Sequence, residues 1–193
     1  MYRIESLTAH QAGRYLDALT DLLHDAVESG ASVGFLQPLD ASEARAYWEG
    51  VPSALSSGER VLLVALEGED VLGCVQLGLV GWPSQRHRAE VLKLLVRRGA
   101  RRRGIGSALV RSSESEARRR GRTLLVLDTR RGDDAERLYT QLGYETVGVV
   151  PGYAASPSGD ALDDVVYMYR ELKSGDGVTG SDCLAEHQTP SSA

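Results

Sequence analysis

VLKLLVRRGARRRGIGSAL, residues 91–109, is the stretch that says most about the architecture of this chain. An apolar strand runs into a turn of arginines and glycines, and the turn opens a helix that begins near Gly104. The free amides of a helix's first turn, together with the helix dipole, attract anions. Glycines at 104 and 106 let a phosphate approach the backbone, and arginines supply forked donors for its oxygens. The stretch therefore predicts a phosphate-binding turn between a strand and a helix.

Two familiar phosphate loops are excluded by the spacing. A P-loop with glycines at 99 and 104 requires lysine at the next position, which is Ile105. A dinucleotide-binding fingerprint that starts at Gly104 and Gly106 requires a glycine-like residue at position 109, which is Leu109. The pattern that remains is Arg-x-x-Gly-x-Gly over residues 101–106.

Outside this stretch, the apolar spacing predicts the order strand, two helices, three strands, helix, strand, helix, two strands. The predicted strands cover about residues 2–7, 61–67, 71–80, 89–96, 123–127, 144–150 and 165–172, and the helices about residues 9–29, 40–55, 104–120 and 133–142. This mixture indicates an α/β or α+β domain with one central mixed sheet. We expect a single domain over residues 1–172 and a disordered tail over residues 173–193, which has little to bury.

Composition and charge exclude several classes of function. The 193 residues carry a formal net charge of −5, so neither nucleic acid nor an anionic membrane is the expected partner. Arginine nevertheless fills five of the positions from 97 to 103, which favours a compact anionic ligand. The sequence has neither a membrane-spanning apolar run nor a secretory signal, and we expect a cytoplasmic protein. Cys74 and Cys183 form no disulfide framework, and no metal site is predicted.

Two motifs give the chain a family resemblance. Arg-x-x-Gly-x-Gly resembles the pyrophosphate motif of the GNAT superfamily of N-acetyltransferases. AERLYTQLGYE, residues 135–145, is similar to the helix of that family with the signature A-x-x-L-Y-x-x-L-G-Y/F. The motifs stand in the family's order with one strand between them, and the resemblance covers about residues 2–172. It implies the GNAT acyl-CoA N-acyltransferase fold, a central mixed and mostly antiparallel sheet flanked by helices, with acetyl-CoA as cosubstrate.

The resemblance also implies a set of coenzyme contacts. They are Leu94, Leu95, Val96, Arg101, Arg102, Arg103, Gly104, Ile105, Gly106, Ser107, Ala135 and Tyr139. A main-chain N–H at Leu94, Leu95 or Val96 is expected to polarise the thioester carbonyl, as an aligned oxyanion donor. The chain departs from the wider family at Gly132, where an asparagine often stands.

The chemistry requires a base and an acid. An alkyl amine with a pKa of about 10 is protonated at neutral pH, so a base must take its proton, and an acid must meet the departing sulfur. Glu90 and Asp128 are the candidate bases, directly or through water, and Tyr139 is the candidate acid. The structural alternative is that Asp128 caps a turn and that Glu90 pairs with Lys93 or Arg88. Direct transfer in a ternary complex is expected, because neither cysteine has a plausible histidine partner.

Three loops, residues 29–39, 81–88 and 151–163, are expected to frame the acceptor pocket. The candidate acceptor contacts are Phe35, Trp82, Tyr153 and Asp160. The segments GASVGFLQPL, AEVLKLLV, LDT and PGYAASPSGD resemble those of the tabtoxin-resistance acetyltransferases, which act on a β-lactam-containing amino-acid toxin. This resemblance implies a small-molecule amine, such as an amino-acid-like toxin or antibiotic, as the acceptor.

Other functions stay open at this point. Within the enzyme class, the alternative acceptor is a peptide or protein N-terminus. A degenerate member that only binds CoA is disfavoured by the intact Arg-x-x-Gly-x-Gly and by Tyr139. A nucleic-acid-binding protein with Arg97 to Arg122 as its contact face is disfavoured by the overall acidity and the single phenylalanine. The resemblance leaves both a monomer and a homodimer through the closing strands open.

Overall fold

The computed structural model describes residues 1–173, and the predicted tail lies beyond them. The strands are β1 Arg3–Ser6, β2 Arg60–Glu67, β3 Asp70–Leu79, β4 Arg88–Val96, β5 Leu124–Arg130, β6 Glu145–Ala155 and β7 Leu162–Glu171. The helices are α1 Ala9–Arg14, α2 Leu16–Glu28, α3 Ala41–Ser56, α4 Ile105–Arg119 and α5 Asp134–Gln141. The seven strands form one sheet in the order β1-β2-β3-β4-β5-β7-β6. The predicted mixed α/β architecture is confirmed.

Local sequence explains where the first helices begin and end. Thr8 and Gln11 form a capping box at the start of α1, in which the Thr8 hydroxyl accepts the Gln11 N–H at 3.3 Å. Asp40 caps α3 by accepting the Ser42 N–H at 2.7 Å. The prediction of one helix over residues 9–29 is wrong in one respect: the chain leaves helical geometry at Tyr15, which divides α1 from α2.

The sheet is antiparallel except at one place. β4 and β5 are parallel and pair only over Arg88–Glu90 and Leu124–Val126, after which they diverge. One face of the sheet packs its apolar residues, such as Leu62 and Val64, against α1, α2 and α3. The other face packs against α4 and α5. The divergence of β4 and β5 opens a gap in the middle of a sheet that is otherwise closely paired.

Two predicted boundaries are corrected by the structure. β5 continues through Asp128 to Arg130, because the apolar run ends where burial changes and not where the strand ends. β6 continues through Pro151 and Gly152 to Ala155, so the first part of the predicted loop 151–163 is strand. An irregularity in register between Val150 and Ala154 accommodates these residues, and Gly152 there has a φ of +57°.

Over residues 1–173, no helix combines the length and apolar character required to cross a membrane.

Candidate active site

A groove of about 730 Å³ lies where β4 and β5 diverge. Its walls come from the end of β4, the start of α4, the exposed side of α5 and the chain that follows α2. The predicted coenzyme contacts that line it are Leu94, Leu95, Val96, Arg101, Arg102, Gly104, Ile105, Gly106, Ser107 and Ala135. Arg103 and Tyr139 are not part of the lining. The structure therefore brings most of the predicted contacts together along one groove.

The turn before α4 has the geometry that an anion requires. Arg102 and Gly104 both have left-handed backbones, with φ values of +62° and +77°. Gly104 is the N-cap of α4 and provides no side chain to satisfy the amides of the first turn. At Gly106, an added Cβ would lie 3.3 Å from Leu138, so glycine allows α5 to approach the start of α4. The first-turn amides thus face a groove that can hold a diphosphate.

The three arginines of the turn have different surroundings. Arg101 donates to the Ser29 hydroxyl at 2.5 Å and to the Val96 carbonyl at 3.2 Å. Arg102 forms an exposed ion pair with Asp134 at 3.1 Å. Arg103 pairs instead with Glu67 on β2 at 2.7 Å, away from the groove. Arg101 and Arg102 are therefore placed to meet a diphosphate, whereas the Arg103 side chain is engaged elsewhere.

A β-bulge shapes the floor of the groove. Cys74 pairs with Leu95 and Gln76 with Leu92, so a single residue of β3 opposes Lys93 and Leu94 of β4. Lys93 has a φ of +50°, which is unusual for a residue other than glycine. A bulge takes backbone groups out of the regular ladder. The predicted main-chain donors to a thioester carbonyl begin at this bulge.

Glu90 and Asp128 lie on the two strands that diverge. Glu90 sits at the last residue pair between β4 and β5, and its carboxylate accepts from Arg88 at 3.1 Å, which the structural alternative predicted. Asp128 lies opposite Tyr167 within the sheet, so its predicted role as a turn cap is wrong. Asp128 is exposed, yet the surrounding protein desolvates its carboxyl and raises its pKa, which nearby Lys93 lowers and Glu90 raises.

Tyr139 lies behind the groove wall. Its side chain on α5 is 5% exposed and packs edge-on against Tyr144, with ring centroids 5.2 Å apart. Burial, and to a smaller extent the charge of Asp128, raises the pKa of the Tyr139 hydroxyl. The structure thus places the candidate acid within electrostatic range of one candidate base.

The predicted acceptor loops meet each other. The Gln37 N–H in loop 29–39 donates to the Pro157 carbonyl in the loop between β6 and β7 at 2.7 Å. Phe35, in the first of these loops, packs edge-on against Tyr47 of α3, with ring centroids 5.6 Å apart. Tyr153 accepts a 2.8 Å hydrogen bond from Tyr167, whose pKa is raised to about 12 by that bond and, to a lesser extent, by burial, Tyr153, Asp128 and Glu90. Phe35 thus packs on α3, and Tyr153 bonds to Tyr167, which lies opposite Asp128. The surface that carries Glu90, Asp128 and these two loops is the candidate acceptor side.

The other two candidate acceptor contacts have different surroundings. Trp82 lies in the turn after β3 and is 70% exposed. Asp160 accepts hydrogen bonds from Ser156 and Ser158 at 2.9 and 2.6 Å, and these bonds lower its pKa. Asp160 thus stabilises its own loop.

Sequence reasoning missed two cations of the site. The Lys93 ammonium donates to the Val33 carbonyl at 2.8 Å and connects the bulge to loop 29–39. Arg130 lines the groove and donates to the Gly30 carbonyl at 3.2 Å and to Asp133 at 2.8 Å. A lysine inside an apolar strand was a signal that could have identified Lys93. Arg130 gave no comparable signal, because its partners come from distant parts of the chain.

Cys74 has no catalytic surroundings. It is completely buried, burial strongly raises the pKa of its thiol, and its sulfur contacts the Lys93 carbonyl at 3.6 Å. In the part of the chain that the structure describes, no three His, Cys, Asp or Glu side chains are grouped so that they could hold a metal ion. Cys183 lies outside that part.

Comparison with known proteins is consistent with this geometry. The model of the acetyltransferase (GNAT) family matches residues 18–144. An N-acetyltransferase from Staphylococcus aureus Mu50 superposes with a TM-score of 0.73 at 22% identity, covering 90% of this chain and 99% of that one. For a ribosomal-protein-alanine N-acetyltransferase from Brucella melitensis, the TM-score is 0.71 at 24% identity, with coverages of 88% and 99%.

A third similar structure is that of yncA, a putative acetyltransferase from Salmonella typhimurium, with its cofactor acetyl-CoA. Its TM-score is 0.71 at 21% identity, covering 91% of this chain and 96% of that one. At these identities the three structures establish a shared fold, while the family model matches well over half of the sequence. The chain therefore belongs to the acetyltransferase (GNAT) family.

Proposed function

We propose that this protein is an acetyl-CoA-dependent N-acetyltransferase that acetylates the amine of a small molecule by direct transfer in a ternary complex. The observation that carries the proposal is the groove between β4 and β5. It runs from an uncapped helix N-terminus with two arginines to Leu94 on β4 and Arg130 on β5, which follow Glu90 and Asp128 along the two diverging strands. A coenzyme held in this groove would present its acetyl end to the acceptor side of the sheet.

The residues of the groove fit the parts of this coenzyme. The amides at the start of α4, with Arg101 and Arg102, would hold the diphosphate. The apolar wall formed by Leu94, Ala135 and Leu138 suits the pantetheine arm. Acetyl-CoA supplies a thioester carbonyl that is open to attack by an amine.

Asp128 is the better of the two candidate bases. Glu90 is held by Arg88, whereas Asp128 forms no ion pair with any residue from 1 to 173. Its raised pKa brings the carboxylate closer to the range in which a base works well at neutral pH. Asp128 would accept the amine proton, directly or through water, and the Tyr139 hydroxyl would deliver a proton to the departing sulfur.

We further propose an amino-acid-like toxin or antibiotic as the acceptor, since four segments resemble the tabtoxin-resistance enzymes. Loop 29–39 and the loop between β6 and β7 meet over the acceptor side, which limits the room for a long polypeptide. Acetylation of peptide N-termini is the competing outcome of the test below.

We also propose that two copies of this chain form a homodimer. Strand β6 exposes Val147 and Val149, at 69% and 41%. Such apolar side chains on an edge strand favour association of two copies. Light scattering on the purified protein distinguishes a monomer from a dimer.

The proposed function is tested by thiol release from acetyl-CoA in the presence of amines, with β-lactam amino acids and short peptides in the panel. Isothermal titration with CoA measures binding separately. Gly104→Asp should abolish both binding and turnover, because it places a side chain and a negative charge at the start of α4. Gly121→Asp is the matched control, since Gly121 follows the other end of α4 and also has a positive φ, +70°.

The proposal is supported if the wild-type protein and the Gly121 variant bind CoA and release thiol. The Gly104 variant should do neither. Absence of CoA binding by the wild-type protein would refute it.

A further inference from the structure

Two cations lie close together beside the candidate active site. Lys93 is partly buried, and its ammonium lies 5.6 Å from the Phe35 ring centroid and 5.3 Å from that of Tyr47. Arg60 donates to the Gln76 side-chain oxygen at 2.8 Å and to the Tyr47 hydroxyl at 3.5 Å. Within residues 1–173, neither cation has a carboxylate in ion-pair distance. Partly buried charges of one sign without a counterion are unfavourable.

The side chain of Gln76 adds a further hydrogen-bond donor to these two cations. Its side chain is completely buried, and its oxygen accepts from both Arg60 and Tyr47, the latter at 3.2 Å. This leaves the amide nitrogen as a donor, and that nitrogen is buried without a hydrogen-bond partner in the described chain. Unpartnered buried donors are rare in folded proteins. Within residues 1–173, the cluster of Arg60, Gln76 and Lys93 thus carries two positive charges without a carboxylate in ion-pair distance and one buried donor without a partner.

The electrostatic surroundings of Lys93 favour the binding of an anion. Burial and then the charge of Arg60 lower the pKa of Lys93, while Asp128 and Cys74 act in the opposite direction. An anion bound to the ammonium would oppose both lowering effects.

The position of the cluster points to the acceptor and not to the coenzyme. Lys93 immediately precedes Leu94, where the groove lining begins, and its ammonium contacts loop 29–39 on the acceptor side. The carboxylates of the site are on the same two strands: Glu90 is three residues before Lys93 on β4, and Asp128 is two residues beyond the partner of Glu90 on β5. The acceptor side therefore carries separated negative and positive groups, which is the complement of a zwitterion.

We propose that Lys93, with Arg60 and Gln76, forms an anion subsite, and that the acceptor is an amine that also carries a carboxylate. This inference rests on the proposed function and adds a substrate class to it. The amine of such an acceptor would face Glu90 and Asp128, and its carboxylate would face Lys93. Lys93 is then a specificity-determining residue, distinct from the base and the acid.

The first test compares acceptors that differ only in charge. A panel of α-, β- and γ-amino acids is assayed for acetylation, each beside its own carboxamide. The wild-type kcat/KM should favour the carboxylates by about 10- to 100-fold, the usual range for charge-assisted hydrogen bonds. The amine of an α-carboxamide loses its proton more readily than that of the amino acid, so intrinsic reactivity would give the opposite preference.

Lys93→Met should remove this preference by raising KM for the amino acids relative to their carboxamides, while KM for acetyl-CoA changes little. Any effect of the variant on Asp128 would change turnover of acids and carboxamides alike, so the ratio of their kcat/KM values is the readout. Lys93→Arg, which keeps the charge, should retain part of the preference. Lys173→Met is the matched control, because it removes the only other lysine of the chain, at an exposed position.

A second test needs no turnover. Since Lys93 and Lys173 are the only lysines, selective isotope labelling of lysine gives two side-chain NMR signals, which Lys173→Met assigns. Titration of the amino acids into the protein with CoA should shift the Lys93 signal, whereas the carboxamides should not.

The outcomes separate this inference from the proposed function. If the Lys93 signal does not shift on addition of the amino acids and kcat/KM is equal for acids and amides, the anion subsite is refuted. The proposed acetyltransferase activity would be unaffected by that result. If the protein binds no CoA and acetylates no amine, the proposed function fails, and the NMR response to the amino acids alone then decides whether the subsite exists.

Discussion

At the scale of single residues, burial sets the proton chemistry of the candidate site. Tyr139 is almost completely buried, and its raised pKa keeps the hydroxyl protonated at neutral pH, as a proton donor to sulfur requires. Asp128 stays at the surface of the sheet but is desolvated enough for its pKa to rise. The two residues therefore differ in burial, which agrees with the different roles proposed for them.

Tyr139→Phe should lower kcat by about 100-fold or more, the usual contribution of general acid catalysis, while the Kd for acetyl-CoA changes little. The affinity should persist because the loss of one hydroxyl leaves the residues that line the groove unchanged. Steady-state kinetics and calorimetry measure the two quantities. Tyr144→Phe is the control, since it removes a neighbouring buried hydroxyl that has no hydrogen-bond partner within residues 1–173. Unchanged turnover in the Tyr139 variant would remove this residue from the mechanism.

Asp128→Asn should lower kcat/KM at neutral pH and raise the free energy of unfolding. The pKa of Asp128 is higher in the folded protein than in the unfolded chain. The aspartate therefore lowers the free energy of unfolding as the pH rises from its unfolded-state pKa through its folded-state pKa. At acidic pH the wild-type protein and the Asp128→Asn variant should therefore be equally stable. At higher pH the variant should be the more stable of the two. Chemical denaturation at several pH values checks this sign. A variant that is less stable at pH 7 would show that the raised pKa is not the dominant effect.

At the scale of elements, the bulge in β4 depends on a glycine in the neighbouring strand. A Cβ at Gly73 would lie 2.6 Å from the Leu95 carbonyl oxygen, which is closer than real side chains come. Only glycine at this position lets β3 approach β4 where the candidate oxyanion donors begin.

Gly73→Ala should reduce the free energy of unfolding by about 1–3 kcal/mol, as overpacking does, and should also lower kcat by displacing β4. Gly50→Ala makes the same chemical change in α3, where no atom lies within 4 Å of the added group. It should stabilise the protein by about 0.5–1 kcal/mol and leave kcat unchanged. Thermal unfolding and steady-state kinetics on both variants give the comparison. If the Gly73 variant keeps the wild-type kcat, the geometry of the bulge is not required for catalysis.

At the scale of the whole molecule, Arg130 connects parts of the chain that are far apart in sequence. It donates to the Gly30 carbonyl after α2, to Asp133 before α5 and to Asp163 on β7, the last at 3.4 Å. Gly30, Arg130 and Asp133 all line the groove. One side chain thus connects two parts of the groove lining to β7.

Arg130→Met should lower the free energy of unfolding by about 1–3 kcal/mol, because it leaves partly buried carboxylates without their partner. It should also weaken CoA binding, because the groove walls lose their connection. Arg131→Met is the adjacent control: Arg131 is 62% exposed and forms only a 3.4 Å pair with Asp164, so it should change stability by less than about 0.5 kcal/mol. Thermal unfolding with and without CoA measures both effects. Equal losses in the two variants would contradict the special role of Arg130.

The sequence by itself determined the order of the strands along the chain, the mixed sheet and the turn of arginines and glycines before α4. Each of these depends on short-range patterns: apolar periodicity, helix caps, and the glycines and arginines of residues 101–106. The boundaries at Asp128 and Pro151 were predicted wrongly for different reasons. β5 continued after its last buried residue, Leu127, whereas β6 is exposed from Glu145 to Tyr153, so burial gave no signal of where that strand ends.

Only the tertiary structure decided which polar groups meet. It turned Arg103 towards Glu67, placed Asp160 within its own loop, and revealed Lys93 beside Arg60 and Gln76. Arg103 and Lys93 meet residues that are distant in the sequence, whereas Asp160 accepts hydrogen bonds within its own loop. The surroundings of Lys93 depend on sheet register and on the bulge, and a bulge changes the direction of the side chains that follow it, so no local pattern in the sequence could have placed Lys93.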